Sequence, residues 1–322
     1  MKTISHYLSI ATLVILLGYI AYNEISKKPA ARPELIRRND SMSDENDMDP
    51  AYILEDVPSA AISFDLPAKI DFANEVVPLN IPDVRERLDK EIQINTYLHS
   101  NTIFLIKRAK RWLPQMEEIL KKNGIPLDFK YLPLIESNLI NVVSPKEAAG
   151  YWQILKTSGK EFGLEINDEV DERYDPLKST EAACKYLNQA YKKFGNWTLV
   201  AASYNRGMSG VQRALDDQEV DNYYDLYLNE ETSRYVFRIL AIKEIVQNPT
   251  RYGFKINPKH LYDEEPLKYV EVDETIKDLV RFAKQQGSNY KLLKRHNPWL
   301  REDKLTVKKG KTYKIAFPEK TD

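Results

Sequence analysis

Apolar and polar positions divide the chain into stretches of different character. Tyr7 to Tyr22, "YLSIATLVILLGYIAY", is an uncharged apolar run. It falls between a signal-peptide core of about 7–15 residues and a membrane-spanning helix of about 20. No A-x-A cleavage site follows, so residues 1–27 are read as an uncleaved signal anchor, with a cleaved signal peptide as the alternative. Residues 28–82, rich in Pro, Asp, Ser and Asn, have no sustained period and read as a flexible tether. Helical patterning begins at Asp83, with Val84, Leu88 and Ile92 on one face. Trp112, Met116, Ile119 and Leu120 form another stripe, stopped by "KKNG". Ala183, Tyr186, Leu187, Ala190, Tyr191 and Phe194 form a third, ended by Gly195, after which Asn196 is placed to cap "WTLVAASY". Tyr235, Ile239, Ile242 and Val246 form the last.

Strand patterns are nearly absent from Asp83 to Val246, so residues 83–252 are expected to form a helical domain with its core at about 125–250. A linker follows at 253–267. The tail, 268–322, changes pattern. "YVEV" reads as a strand and "TIKDLVRFAKQQG" as a helix with Ile276, Leu279, Val280 and Ala283 inward. "NYKLLKRHNPWL" reads as a second helix and "TYKIAF" as a closing strand, a small separate β-α-α-β module on a mainly α chain.

Composition narrows the function. Lys and Arg total 47 against 48 Asp and Glu, so no field of one sign draws nucleic acid. No His lies between Gly124 and Pro249, which argues against a Ser-His or Cys-His hydrolase and against a His-ligated zinc there. Cys184 is the single cysteine and reads as a buried helix residue. Neither metal nor cofactor is called for, and a monomer is expected.

Four stretches carry candidate chemistry. "YLPLIESNLI" ends an apolar segment on Glu136, followed by Ser137, with no Lys or Arg within several residues. "AAGYWQ" gathers Tyr151, Trp152 and Gln153 after Gly150. "AASYNRG" brings Tyr204 and Asn205 out of an apolar helix, and "ETSRYVFRILA" sets Tyr235 at a helix start. Aromatic faces stack on sugar rings, while Asn and Gln both donate to and accept from hydroxyls and acetamides. Each stretch alone also fits a bland role: an exposed Glu, core aromatics at Trp152 and Tyr235, a helix cap at Asn205. Asp175 in "YDPLKST" reads as a helix cap rather than a second catalytic acid.

Taken in order, the four stretches resemble the motifs of the soluble-lytic-transglycosylase-like family, lysozyme-related enzymes of peptidoglycan, nearest its membrane-bound D-type subgroup. Glu136-Ser137 matches the Glu-Ser motif and Gly150 to Gln153 the Gly-x-x-Gln motif. Ser203-Tyr204-Asn205 matches Ala-Tyr-Asn with Ser in place of Ala, and Tyr235 matches the pocket tyrosine. The likeness covers roughly Leu88 to Val246. The tail resembles a divergent LysM domain whose first turn, "VDET", lacks the usual Gly.

The resemblance implies a lysozyme-like helical fold and non-hydrolytic cleavage of the MurNAc–GlcNAc β-1,4 bond, leaving 1,6-anhydromuramic ends. Glu136 would serve as acid and then base. Ser137, Trp152, Gln153, Tyr204 and Asn205 would hold substrate or pocket, and Tyr235 would orient Glu136. Peptidoglycan glycan strands would be the partner, with the protein anchored in the cell-envelope membrane and its catalytic part facing the periplasm or wall, or else secreted after cleavage. A muramidase using water remains the nearest alternative. A non-catalytic wall-binding protein and a cytoplasmic helical interaction protein are more distant ones.

Overall fold

Residues 62–319 are described by the structure, a computed structural model. The expected signal anchor and the tether as far as residue 61 lie outside the described residues. Among the described residues no helix is long and apolar enough to cross a membrane.

Among the described residues, ten α-helices and two small antiparallel sheets follow in order. The hairpin β1 (Asp71–Phe72) and β2 (Glu75–Val76) precedes α1 (Pro82–Tyr97) and α2 (His99–Lys122). Then come α3 (Leu132–Ser137), α4 (Lys156–Glu161), α5 (Pro176–Phe194), α6 (Trp197–Arg206), α7 (Met208–Gln218) and α8 (Glu230–Gln247). The tail holds β3 (Leu267–Val272), α9 (Leu279–Gln285), α10 (Tyr290–His296) and β4 (Tyr313–Pro318). The molecule is mainly α, as the periodicity predicts.

Several boundaries have local causes. Pro82 opens α1 at a position where its missing N–H costs nothing. Lys121 and Lys122 sit in the last turn of α2, where the helix dipole favours cations. Asp175 caps α5, accepting from the Leu177 and Lys178 amides at 2.9 and 3.0 Å. Asn196 caps α6 through the Leu199 amide at 2.8 Å.

The central element is α8. From Tyr235 to Ile245 nearly every side chain is buried, so this helix has no solvent face in its middle. It packs along α1 and against α6, while α5 packs against α2 and α6. Its charged residues are therefore paired. Lys243 donates to Asp128 Oδ2 at 2.7 Å and to the Asp71 carbonyl at 2.8 Å. Near its start, Arg234 meets the buried Glu91 of α1 at 2.5 Å.

Residues 62–82 are not a flexible tether. Ile70, Phe72, Ala73 and Val77 are buried in the helical core, with Phe72 fully enclosed against Phe129. Glu75 reaches the start of α6 and accepts from the Trp197 and Thr198 amides at 2.5 and 2.8 Å, an anion on a helix N-terminus. Two-residue strands carry no period, and the residues they meet, such as Phe129, Trp197 and Lys243, lie far along the chain, so local patterning missed them.

The tail forms the expected β-α-α-β module, with β3 paired to β4 from Leu267↔Pro318 to Val272↔Tyr313. Leu279 and Ala283 point inward, but Val280 is exposed and Ile276 precedes the helix. The module has its own core, yet Val170 of the helical domain enters it, and the 165–171 loop docks against it. The Asp171 amide donates to the Trp299 carbonyl at 2.8 Å, and the Arg301 amide to the Glu169 carbonyl at 2.8 Å. The 253–267 segment lies against α2, with the Tyr262 amide on the Lys107 carbonyl and Arg111 Nε on the Asp263 carbonyl.

Phe72→Ala should lower the unfolding free energy by about 3–5 kcal/mol, as for other buried Phe truncations. Chemical denaturation checks this; a flexible tether would leave stability unchanged.

Candidate active site

Glu136 sits near the end of α3, a six-residue helix entered through the 3-10 turn Leu127–Tyr131. Leu132, Pro133, Leu134 and Ile135 are all buried, so the helix is embedded and only its end reaches the surface. Asn138 ends it in the left-handed region at φ 53°. Arg108 of α2 then donates to the Asn138 carbonyl at 2.9 Å, holding the turn from below.

The Glu136 carboxyl is half-buried. Tyr235, in the second turn of α8, donates its hydroxyl to Glu136 Oε1 at 2.5 Å. One turn further, Arg238 donates to the Ile135 carbonyl at 2.7 Å. Burial pushes the Glu136 carboxyl above its ordinary value, while the Tyr235 hydrogen bond and the Arg238 charge pull it back and the Glu231 charge pushes it up. The chain near Glu136 lacks a cation, as its sequence says, but the fold brings one from α8. The i, i+3 spacing of Tyr235 and Arg238 puts them on one helix face, the signal that could have revealed Arg238.

Ser137 is placed differently from its expected contact with substrate. It is buried, and its hydroxyl is shared between the Pro133 carbonyl at 3.0 Å and the Tyr151 carbonyl at 2.8 Å. It ties the Glu136 helix to the following loop. Trp152 is also not a sugar platform. It is fully enclosed, with Nε1 donating to Thr180 Oγ1 at 2.8 Å.

That loop depends on Gly150. Its φ is 81°, and a Cβ there would lie 1.8 Å from the Arg173 carbonyl oxygen, so no larger residue fits. Arg173, paired with Asp171 at 2.7 Å, also donates to the Glu147 and Ile154 carbonyls. Gln153 sits at φ 49° with its amide nitrogen on the Val142 and Gly150 carbonyls, at 3.0 and 2.8 Å. Its amide oxygen is the part left for a ligand.

Tyr204 and Asn205 end α6 beside this loop. The Tyr204 hydroxyl donates to the Trp152 carbonyl at 2.8 Å. Asn205 spans the first turn of α8, donating to Glu231 at 2.9 Å and accepting from Thr232 at 2.8 Å. Burial raises both the Tyr204 and Tyr235 phenols well above their ordinary value, with the Glu136 charge adding to each. Glu136, Tyr204 and Tyr235 thus share one electrostatic site, edged by Asn205 and by Glu231, an acid that the sequence reading passed over.

Two openings flank this group. A cleft of about 650 Å³ runs between α1, α3 and α8, past Ile135, Asn138, Glu231 and Arg238. A smaller pocket of about 90 Å³ lies beside Gln153, walled by Leu155, Phe162, Tyr186 and Tyr204. Among the described residues no three His, Cys, Asp or Glu side chains are grouped to hold a metal.

The raised Glu136 carboxyl predicts a pH-dependent stability difference. A carboxyl raised by folding carries no penalty below its unfolded value of about 4.3. The penalty grows as pH rises through the folded value and then stays. Glu136→Gln should therefore be more stable than wild type at neutral pH, and the gain should vanish below about pH 4. Thermal unfolding across pH checks this; an equal gain at all pH values would exclude ionisation as its cause.

Comparison with known proteins places this geometry in a family context. Residues 116–226 match the Transglycosylase SLT domain, and residues 268–321 match the Soluble lytic transglycosylase C-terminal LysM-like domain. Membrane-bound lytic murein transglycosylase D of Escherichia coli (strain K12) is 31% identical over 194 residues, 58% of this chain and 42% of that protein. A putative tributyltin chloride resistance protein of Alteromonas sp. (strain M-1) is 32% identical over 123 residues, 38% of this chain and 59% of that protein. Among solved structures, an inactive mutant of lytic transglycosylase Slt from Pseudomonas aeruginosa aligns with 19% identity and a TM-score of 0.34, over 47% of this chain and 26% of that one. The chain spans less than half the length of the E. coli relative. Glu136, Gln153 and Tyr204 lie inside the stretch that matches the Transglycosylase SLT domain, and the C-terminal module coincides with the stretch that matches the soluble-lytic-transglycosylase C-terminal LysM-like domain.

Proposed function

We propose that the protein is a peptidoglycan lytic transglycosylase whose single catalytic carboxyl, Glu136, cleaves the MurNAc–GlcNAc β-1,4 bond without water. The observation that carries this reading is the Tyr235 hydroxyl on Glu136 in an apolar frame, with Glu136 inside the stretch that matches the SLT domain. The E. coli relative is by name a membrane-bound murein transglycosylase.

Glu136, whose carboxyl burial raises above its ordinary value, gives its proton to the glycosidic oxygen as the bond to C1 breaks. The substrate's own acetamide shields the charge that develops at C1. The Glu136 anion then faces the Tyr235 hydroxyl and the Arg238 charge, which support it without quenching its basicity. It takes the proton of the C6 hydroxyl as that oxygen bonds to C1, which closes the 1,6-anhydro ring and returns Glu136 to its starting state.

The other site residues divide by placement. Ser137 and Trp152 hold the frame. Gln153 offers its amide oxygen at the mouth of a small, largely apolar pocket suited to an acetamide methyl. Asn205, fixed by Glu231 and Thr232, would steady the acetamide. The catalytic part extends from the 62–82 strap to about residue 252, the LysM-like module supplies wall binding, and the protein works as a monomer in the cell envelope. An anchor at Tyr7 to Tyr22 would hold it there.

Glu231 favours one second reading. It raises the Glu136 carboxyl, so a second acid is close, and a hydrolase with water as nucleophile uses two carboxyl groups.

Glu136→Gln should lower cleavage of purified sacculi by at least about a hundredfold, the lower end of general-acid contributions, while the protein stays folded. Mass analysis of the wild-type muropeptides should show anhydro ends; reducing ends would favour the hydrolase. Arg238→Gln removes a charge that lowers the Glu136 carboxyl. The alkaline limb of the pH–rate profile should therefore move upward. An unmoved limb would take Arg238 out of the reaction.

A further inference from the structure

A second cleft, of about 640 Å³, lies between the helical domain and the C-terminal module, a size ordinary for a ligand site. It is built from both sides. Trp112 and Tyr151 of the helical domain meet edge to face at 5.3 Å, and Tyr269 on β3 stands 58% exposed across from them. The two modules are held in register by backbone hydrogen bonds, so the walls form one surface.

Void space between modules is by itself only imperfect packing. Here the walls hold hydrogen-bonding capacity that the protein leaves unused. His296, at the end of α10, has a side chain only 8% exposed, and its Nε2 has no hydrogen-bond partner among the described residues. The nearest carboxylate, Glu265, is 3.6 Å away, beyond hydrogen-bond reach. Burial lowers the imidazole below its ordinary value; the Arg295 and Arg111 charges add to this and Glu265 opposes it, which favours the neutral form. Tyr151 and Tyr269 bring their phenol rings to the same walls.

Charge decides the ligand class. Arg111 and Arg295 both pair with Glu265, Lys178 pairs with Glu172, and Lys314 with Glu271. Asp175 and Glu264 supply further acid. The cations are spoken for, so a strongly anionic ligand gains little here. Aromatic faces beside a neutral imidazole, phenol groups and the amide oxygen of Asn141, whose nitrogen is taken by the Tyr174 carbonyl, suit hydroxyls and acetamides.

We propose that this intermodule cleft is a saccharide site, separate from the Glu136 groove, that takes a neutral N-acetylated stretch of glycan strand. The identity of the sugar rests on the reading of the protein as a peptidoglycan enzyme. Because both modules line the cleft, it holds the strand at a fixed distance from Glu136, which would not follow from a module swinging on a linker. Two linked sites raise the effective concentration of strand at the catalytic groove.

The test uses the full-length protein carrying Glu136→Gln and an N-acetylglucosamine tetramer as probe. Binding is followed by calorimetry, and contact residues are identified with a photoreactive tetramer. The expected result is labelling of peptides containing Tyr269 or Trp112, in addition to any in the Glu136 groove. Tyr269→Ala, which changes an exposed side chain, should abolish the cleft labelling and the matching binding event, while thermal unfolding is unchanged. Labelling confined to the Glu136 groove, or an isotherm unmoved by Tyr269→Ala, overturns the proposal. So does occupation of the cleft by a muramyl stem peptide and not by the tetramer. Wild-type cleavage of sacculi is assayed in parallel. Cleavage with a silent cleft overturns the cleft alone; a labelled cleft without cleavage supports the site and removes the catalytic reading.

Discussion

The proposed site depends on one constraint: a carboxyl that acts as acid and then base must be shielded enough to hold its proton more firmly than an ordinary one and still be able to lose it. The apolar segment Leu132 to Ile135 supplies the first condition, since burial dominates the shift of Glu136. Only a positioned donor and a remote cation can supply the second without returning the carboxyl to its ordinary value. Tyr235 and Arg238 do this from one face of α8. Their precision depends on a helix that cannot rotate, and α8 is fixed because it is enclosed on nearly all sides. The burial of Ile239, Ile242 and Ile245 is therefore linked, through helix rigidity, to the placement of Tyr235 and Arg238 beside Glu136.

Enclosing a helix this way raises the question of its charged residues. Arg234 meets Glu91, while Lys243 meets Asp71 and Asp128, and a buried ion that lost its partner would be strongly destabilising. Asp71 belongs to the N-terminal strap, and the same strap sends Glu75 to the start of α6, the helix that ends in Tyr204 and Asn205. The strap thus supports the site at two removes. It fixes the register of α8 through Lys243 and the start of α6 through its first amides.

Much of the site was legible where chemistry is local. Glu136 stood out as an acid in an apolar frame, and the caps Asp175 and Asn196 hold as read. Gly150 also carries its reason in the structure, a backbone approach that admits no Cβ. Ser137 and Trp152 were misplaced for one physical reason. A hydroxyl or indole beside a catalytic residue looks the same in sequence whether it faces substrate or satisfies a buried partner. Here the partners are the Tyr151 carbonyl and Thr180. Arg238, Glu231 and the strap were missed because their partners are distant along the chain, and periodicity reports only which face is buried. Val280 shows the same limit on a small scale, since a seven-residue helix with two inward positions leaves its register open.

The placement of Glu231 sharpens the choice between the two chemistries. A carboxylate that activates water must present a free oxygen toward the face of the sugar opposite the acid. One oxygen of Glu231 is bound by Asn205, whose own carbonyl is held by Thr232, so the acid is fixed on the α6–α8 side with part of its accepting capacity occupied. Its charge also raises the Glu136 carboxyl. In the proposed reaction, an acid that raises its neighbour and holds the Asn205 amide has a role without acting on water. That division, with one carboxyl transferring the proton and the other setting how firmly it is held, is what the proposed acid-then-base mechanism requires.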